Sequence, residues 1–287
     1  MKKAYLAEEI FTGTDTLSGS VLLTENNHVA GIVPTGELPS DFELLRFPGC
    51  MIVPAFIDLQ IYGGNGKLFS HSLDEESLES TRAYCAAGGC SHFMITMATN
   101  SMENFYKGIE AVRKYNSSGK KGVLGLHLEG PWISPAKKGA HIEAFIKKPT
   151  LEEVNILLEK ARGVVRMITL APEQCDNDII GKLLDNNILV SAGHSNANYA
   201  RAKDVFHLGV PAATHLFNAM SPLHGREPGM VGAIYDDSRV MSSIICDGVH
   251  VDFASVRISK KIMRERLFFI TEAVTEIREG NYQNIFQ

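Results

Sequence analysis

The sequence predicts an α/β fold: a (β/α)8 TIM-type barrel preceded by a small β-rich unit. Three observations predict it. From about residue 51 onward, eight short apolar runs recur, most of them separated by stretches with helical spacing. Strands alternating with helices imply right-handed crossovers and a parallel sheet, and eight such strands fit a closed barrel. Polar residues of metal-ligating and acid–base types also recur where the runs end, which is the level at which barrels carry their chemistry. A doubly wound open sheet is the rival arrangement. No G-x-G-x-x-G follows the first run, which weakens the dinucleotide-binding version of that rival.

The elements follow in order. In the first fifty residues, short alternating stretches such as Ser20–Leu23 and His28–Val33 lie between turn residues: Thr12-Gly13, Glu25-Asn26-Asn27 and Pro34-Thr35-Gly36. Alternation bounded by turns predicts strands. The β-rich unit is therefore expected over 1–50 and the barrel over 51–287. The barrel runs are Met51–Ile61, Ser91–Met97, Val123–Leu128, Val164–Leu170, Ile188–Ser191, Val210–Thr214, Val240–Ile245 and Leu267–Thr271. The helical stretches are Asp74–Ala87, Met102–Tyr115, Leu151–Ala161, Asp176–Asp185, Ala197–His207 and Asp252–Arg264, and a loop rich in Gly, Pro and His follows the sixth run. Arg278–Gln287 reads as too short and irregular for a closing helix. The barrel is expected either to close without its last helix or to be cut short.

Composition narrows the function. A chain of 287 residues, 45% hydrophobic and 21% charged, can bury a core without staples, so disorder is not expected. Net charge is −5, which argues against a broad basic face for nucleic acid. The apolar runs are strand-length and too short to span a membrane. Five scattered cysteines, with no C-x-x-C pair and no signal-peptide pattern, predict a reducing, cytoplasmic setting.

The strand ends carry the chemistry. Glu129 ends the third run in His127-Leu128-Glu129-Gly130-Pro131, His194 follows the fifth in Ala192-Gly193-His194-Ser195, and His215 follows the sixth in Thr214-His215-Leu216-Phe217-Asn218. One carboxylate and two imidazoles form a common ligand set for a catalytic divalent metal, with a position left for water. Each taken alone has a plainer explanation, as a hydrogen-bonded histidine or a solvated loop charge; the coincidence of three strand ends favours the metal. Glu272, at the end of the eighth run, is placed to take a proton from water and pass it to a leaving amine, unless it is a structural ion pair. His141, in the loop after the third run, can polarise a carbonyl or hold a hydroxyl. Arg226 suits an oxyanion, because its planar fork matches phosphate or carboxylate, although a surface salt bridge is the alternative. Backbone N–H groups near Asn218 and Ala219, and the side chain of His250, add donors. Trp132 either walls a sugar pocket or packs. The turn Tyr62-Gly63-Gly64-Asn65-Gly66 lacks the Lys-Ser/Thr pattern of a phosphate loop.

These residues sit in segments that together resemble one family. Pro54-Ala55-Phe56-Ile57-Asp58-Leu59-Gln60, Leu126-His127-Leu128-Glu129-Gly130-Pro131, Ser191-Ala192-Gly193-His194-Ser195, Thr214-His215-Leu216-Phe217-Asn218-Ala219-Met220 and Cys246-Asp247-Gly248-Val249-His250 resemble the N-acetylglucosamine-6-phosphate deacetylases of the amidohydrolase superfamily, in family order from about residue 20 to residue 275. The resemblance implies a metal-dependent barrel with a small β-sandwich built from N- and C-terminal strands. It implies Glu129, His194 and His215 as metal ligands, and His141 on the substrate's acetyl carbonyl and sugar. It implies Asn218, Ala219, Arg226 and His250 at the phosphosugar, with Arg226 and His250 acting across a homodimer interface. Many amidohydrolases carry His-x-His on strand one and bind two metals; here the corresponding positions are read as Asp58 and Gln60. That implies one ion, with Zn²⁺ preferred and Fe²⁺, Mn²⁺ or Co²⁺ as alternatives.

The activity implied is hydrolysis of N-acetyl-D-glucosamine 6-phosphate to D-glucosamine 6-phosphate and acetate. The rivals are another amidohydrolase acting on a related N-acyl sugar, or a phosphosugar-binding homologue with impaired catalysis. Two departures raise the second rival. Glu272 stands where the family has Asp, and the family continues past this C-terminus, where the final barrel helix and the returning sandwich strands are expected.

Overall fold

The computed structural model describes residues 1–275. The Arg278–Gln287 stretch lies outside the described residues. The chain divides into two compact units, Met1–Phe56 and the remainder from Ile57.

The first unit is a five-stranded sheet: β1 (Lys2–Phe11), β2 (Thr16–Ser18), β3 (Ser20–Glu25), β4 (His28–Pro34) and β5 (Glu43–Ile52). β1 is its centre. It pairs antiparallel with β2 and β3 and parallel with β5, and β3 pairs antiparallel with β4. Asn26 and Asn27 both adopt positive φ in the tight β3–β4 turn, a conformation in which Asn is tolerated. Ala4, Val21 and Leu23 form a small buried cluster on one face. Sequence patterning missed β1 and β5. β1 carries Lys2, Lys3, Glu8 and Glu9, which blur its alternation, and β5 contains Pro48 and Gly49.

The second unit opens within β6 (Phe56–Ile61), after Val53-Pro54-Ala55 break the apolar run Met51–Ile61. Proline has no N–H for a ladder, so the run does not continue as one strand. A short hairpin, β7 (Gly63–Gly64) with β8 (Lys67–Leu68), leads into α1 (Phe69–Ser72) and α2 (Glu75–Ala87). The alternation then continues through β9 (Cys90–Ala98), α3 (Met102–Ser117), β10 (Val123–Glu129), α4 (Leu151–Ala161), β11 (Val165–Leu170), α5 (Asn177–Asp185), β12 (Leu189–Ala192), α6 (Tyr199–Leu208), β13 (Ala212–Ala213), α7 (Gly229–Asp236), β14 (Met241–Ile245), α8 (Phe253–Met263) and β15 (Leu267–Ile270).

Local chemistry fixes the helix starts. The side chains of Asp74, Ser101, Thr150, Asn198 and Asp252 each accept a backbone N–H at the first turn of α2, α3, α4, α6 and α8. Val154, Leu157 and Ala161 of α4 fall at helical spacing and are buried, so one stripe of that helix packs into the core.

Eight strands pair in chain order, β6-β9-β10-β11-β12-β13-β14-β15, and the ladders from β9 to β15 are parallel. The ring closes just past the strand ends. Glu272 N–H donates to the Gln60 carbonyl at 3.0 Å, and Tyr62 N–H donates to the Ala273 carbonyl at 3.0 Å. The Thr271 hydroxyl donates to Asp58 Oδ2 across the same seam. The eight-stranded TIM-type arrangement expected from the apolar rhythm is therefore present.

One helix, α7, lies where the sequence predicts a loop. α7 has two glycines and is buried nearly all round, so it carries no amphipathic stripe to recognise. Its start is held from outside: the Glu227 carboxylate accepts Gly229 N–H, and the Ser221 hydroxyl accepts Met230 N–H. Among the described residues no helix is long and apolar enough to cross a membrane.

Candidate active site

Four side chains meet at the C-terminal ends of the barrel strands. Glu129 is the last residue of β10. His194, His215 and Glu272 each lie two residues beyond the end of β12, β13 and β15. All three adopt positive φ, at 46°, 40° and 51°. A left-handed non-glycine residue costs about 1–3 kcal/mol and persists where the surroundings over-determine it. Here those surroundings are explicit. Strand-like pairing continues beyond β12 and β13, with Ser195 N–H donating to the Ala219 carbonyl and Ser221 N–H to the Ser195 carbonyl. The Glu173 carboxylate accepts both the Ser195 hydroxyl and Asn196 N–H. Gly193 lets the turn sit between neighbours, since a Cβ there would lie 2.8 Å from Thr169 Cγ2 and 3.0 Å from Thr214 Cβ.

The donor atoms converge. His215 Nε2 is 3.0 Å from Glu129 Oε1 and 3.1 Å from His194 Nε2, and His194 Nε2 is 3.4 Å from Glu129 Oε1. His194 Nδ1 donates to the Lys137 carbonyl at 2.8 Å, so its Nε2 presents a lone pair to the cluster. Two imidazole nitrogens and a carboxylate oxygen this close, all buried, need a cation or a single proton between them. Ligand atoms about 2.0–2.1 Å from a tetrahedral Zn²⁺ would lie about 3.3–3.4 Å apart, close to the triangle observed. The residues fit a divalent ion. His141 also joins Glu129 and His194 in one possible ligand group, and Glu272 joins Glu129 and His215 in another.

Electrostatics follow from burial and neighbours. Burial opposes ionisation of Glu129, yet His141, His194 and His215 hold its carboxyl well below the usual range. Burial, aided by His141, pushes His194 down to about 4. Burial also works against a charge on His215, but Glu272 and Glu129 outweigh it and raise His215 to about 9. Burial raises Glu272 to about 7, with His215 opposing and Glu129 adding to the rise. One Glu272 oxygen, Oε2, is buried without a hydrogen-bond partner.

The other expected residues are distributed around this centre. His141 is buried. Its Nδ1 accepts Thr99 N–H at 3.2 Å, so the ring proton sits on Nε2, 3.4 Å from Glu129 Oε2. A cavity of about 290 Å³ opens beside it, lined in part by His71, Thr99, Asn100 and Asn104. Asn218 Nδ2 is buried and has no acceptor, and Ala219 occupies a left-handed position next to it. Arg226 and His250 are exposed on loops. His250 Nδ1 pairs with Asp247 Oδ2 at 2.7 Å, and the Arg226 side chain has no ion pair among the described residues. Trp132 does not wall a pocket. It is fully buried in the core, and its indole N–H donates to Glu153 Oε1 at 2.8 Å.

Two features lie outside what the sequence alone reveals. The strand-one side chains that reach Glu129 are Gln60 and Tyr62, not Asp58 and Gln60; Asp58 is taken up by Thr271 at the seam. Residues 58, 60 and 62 share one face by strand alternation, so Tyr62 could have been found by extending the strand by one step. Burial, then Glu129 and Glu272, raise the Tyr62 phenol well above its usual range, so it stays a hydrogen-bond donor. Inside the barrel, His127 Nε2 bonds the Thr169 hydroxyl at 2.8 Å, Thr169 bonds Thr214 at 2.7 Å, and Thr214 bonds Ser191 at 2.6 Å. Burial keeps His127 neutral, at about 4. This polar layer ties together the strands that carry Glu129, His194 and His215.

Comparisons with known proteins agree with this architecture. Residues 51–280 match the model of the amidohydrolase family. The chain is 36% identical over 275 residues to an N-acetylglucosamine-6-phosphate deacetylase of Haemophilus influenzae, covering 96% of this chain and 72% of the relative. The crystal structure of N-acetylglucosamine-6-phosphate deacetylase from Pasteurella multocida superposes with a TM-score of 0.91 at 33% identity, over 96% of this chain and 72% of that one. A point mutant of the Mycobacterium smegmatis enzyme, in complex with N-acetyl-D-glucosamine-6-phosphate, superposes with a TM-score of 0.89 at 31% identity, over 96% and 71%. With these matches spanning nearly its whole length, the chain belongs to the amidohydrolase family, among the N-acetylglucosamine-6-phosphate deacetylases.

Proposed function

We propose that this chain hydrolyses the acetamide of N-acetyl-D-glucosamine 6-phosphate, giving D-glucosamine 6-phosphate and acetate. The observation that carries the reading is the convergence of Glu129 Oε1, His194 Nε2 and His215 Nε2 within 3.0–3.4 Å, beside a buried and unpartnered Glu272 oxygen. Those three residues would hold one divalent cation, with Zn²⁺ suited to the N₂O donor set. When bound there, such an ion supplies Lewis acidity and lowers the pKa of water at the site.

The chain's own residues do the rest. Glu272 Oε2 takes a proton from the attacking water as its oxygen bonds to the acetyl carbon. The same proton then passes to the sugar nitrogen as the C–N bond breaks, so the amine leaves neutral. His141 Nε2–H, fixed by Thr99, donates to the carbonyl oxygen as negative charge develops on it. Asn218 Nδ2 is a buried donor awaiting an acceptor, which suits an oxygen of the phosphosugar. His250 and Arg226 supply cationic or donor groups for the phosphate, with Ala219 N–H beside Asn218. Arg226 is exposed and has no ion pair among the described residues, which suits completing the phosphate grip of a second copy in a homodimer. A cytoplasmic setting, expected from the cysteine usage, belongs to the same proposal.

The test is product analysis with the purified chain and supplied Zn²⁺. Acetate and D-glucosamine 6-phosphate should appear in equal amounts, with kcat/KM at least a hundredfold above that for unphosphorylated N-acetylglucosamine. Equal rates on both sugars would favour a different N-acyl sugar as substrate. Tight substrate binding without acetate would favour an impaired homologue.

A further inference from the structure

We infer that the cavity beside His141 is the acyl pocket of the site, and that Asn100 and Asn104 make it select N-acyl groups longer than acetyl that end in a hydroxyl. This deepens the proposed function and rests on it. The cavity of about 290 Å³ is walled by Ala98 and Asn100 at the end of β9, Asn104 of α3, Ser70 of α1, and His141 and Ile142 of the loop after β10.

Position on the ring decides which part of the substrate reaches it. The strands pair in the order β6-β9-β10-β11-β12-β13-β14-β15, so β9 and β10 lie across the ring from β13 and β14. Asn218 and Ala219 follow β13, and His250 follows β14; the proposed function puts the phosphosugar there. His141 joins the reacting centre to the cavity, since its Nε2 is 3.4 Å from Glu129 Oε2 and its ring is part of the cavity wall. An amide whose carbonyl lies at His141 and whose sugar points toward β13 and β14 carries its acyl chain toward β9 and β10.

The methyl of an acetyl group fills only a small part of this space, and the lining is not that of an alkyl slot. Asn104 Nδ2 donates to Asn100 Oδ1 at 2.8 Å, and Ser101 N–H donates to the same oxygen at 2.9 Å. Those bonds hold both amides. They leave Asn100 Nδ2, Asn104 Oδ1 and the Ser70 hydroxyl without a partner among the described residues. A donor, an acceptor and a hydroxyl together suit a ligand hydroxyl, which both donates and accepts. The chemistry is otherwise the same: water adds to the acyl carbon, the C–N bond breaks, and D-glucosamine 6-phosphate and the free hydroxy acid leave.

The experiment compares three N-acyl glucosamine 6-phosphates, with the full chain and supplied Zn²⁺: acetyl, 3-hydroxypropanoyl and butanoyl. The last two match in length and differ only at the terminal hydroxyl. In the native chain, kcat/KM for 3-hydroxypropanoyl should lie within about tenfold of acetyl and about tenfold above butanoyl, with the hydroxyl preference in KM. Asn104→Leu keeps the size of the side chain and loses the amide. With native circular dichroism, it should bring the two longer substrates to about equal KM; Asn104→Ala serves in its place should the leucine variant unfold. A larger loss with both longer chains in the native protein would overturn the acyl pocket. A native chain without the hydroxyl preference, or a folded Asn104 variant that keeps it, would overturn the role of the two amides. No acetate from the acetyl sugar would instead overturn the hydrolase reading, and calorimetric affinities of the same three sugars would then decide the pocket by the same ratios.

Discussion

At the scale of single residues, the centre is built from side chains whose surroundings leave them one orientation. His194 is fixed through Nδ1 by a backbone carbonyl, His141 through Nδ1 by a backbone N–H, and Glu129 by hydrogens on both oxygens. Two groups differ: His215 Nδ1 and one Glu272 oxygen are buried without a partner. A buried carboxylate oxygen left unpaired is costly, and in an amide-hydrolysing site it has a use as a proton carrier. Glu272→Gln keeps the shape and removes that function. In steady-state kinetics on N-acetylglucosamine 6-phosphate, kcat should fall about 10²–10⁴-fold with KM near native. A variant within threefold of native kcat would remove Glu272 from the proton path. Glu129, His194, His215 and Glu272 were legible in the sequence because each follows the end of an apolar run. Tyr62 was not, because it lies beyond the run and beside glycines, where it reads as turn. The buried hydroxyls of Thr169, Ser191 and Thr214 were not legible either, since nothing local separates a Thr that packs from one that bonds across strands.

At the scale of elements, strand ends do more than strand interiors. β12 and β13 are short, and the backbone pairing that continues beyond them turns His194 and His215 inward. The amphipathic helices were legible from period alone, and α4 begins and ends where its apolar spacing does. α7 was hidden because burial on all sides erases the period. The turn after α7 supplies a pH prediction. Asp237 is 4% exposed, and burial alone would raise its pKa. The Arg239 N–H and guanidinium and the Lys203 ammonium outweigh burial and hold it below the usual carboxylate range. A depressed folded pKa contributes stability that is complete above the unfolded value, near 4, and is lost as pH falls through the folded one. Asp237→Asn should lower stability at pH 7 by about 1–3 kcal/mol. Thermal unfolding across pH should show native and variant converging below about pH 4. A constant gap down to pH 2 would contradict the assignment.

At the scale of the whole molecule, the eight-stranded class was legible because it is written in repetition: strand and helix periods alternate often enough that a few ambiguous elements do not change the count. Closure was not legible. It depends on Asp58 meeting Thr271, and on Gln60 and Tyr62 meeting Glu272 and Ala273, pairs more than two hundred residues apart. That seam also places Glu272, just past the last strand, against Gln60 and Tyr62 at the first. Closure and the candidate site therefore share residues, and the assembled ring is what brings Gln60, Tyr62, Glu129 and Glu272 together. The most direct test of the central claim is a metal titration of activity. The chain is stripped with a chelator, and acetate release from N-acetylglucosamine 6-phosphate is followed as Zn²⁺ is added. The stripped chain should release no acetate, recovery should be complete at about one ion per chain, and His215→Ala should not recover. Turnover that persists through chelation, or a His215→Ala variant with native kcat, would contradict the claim.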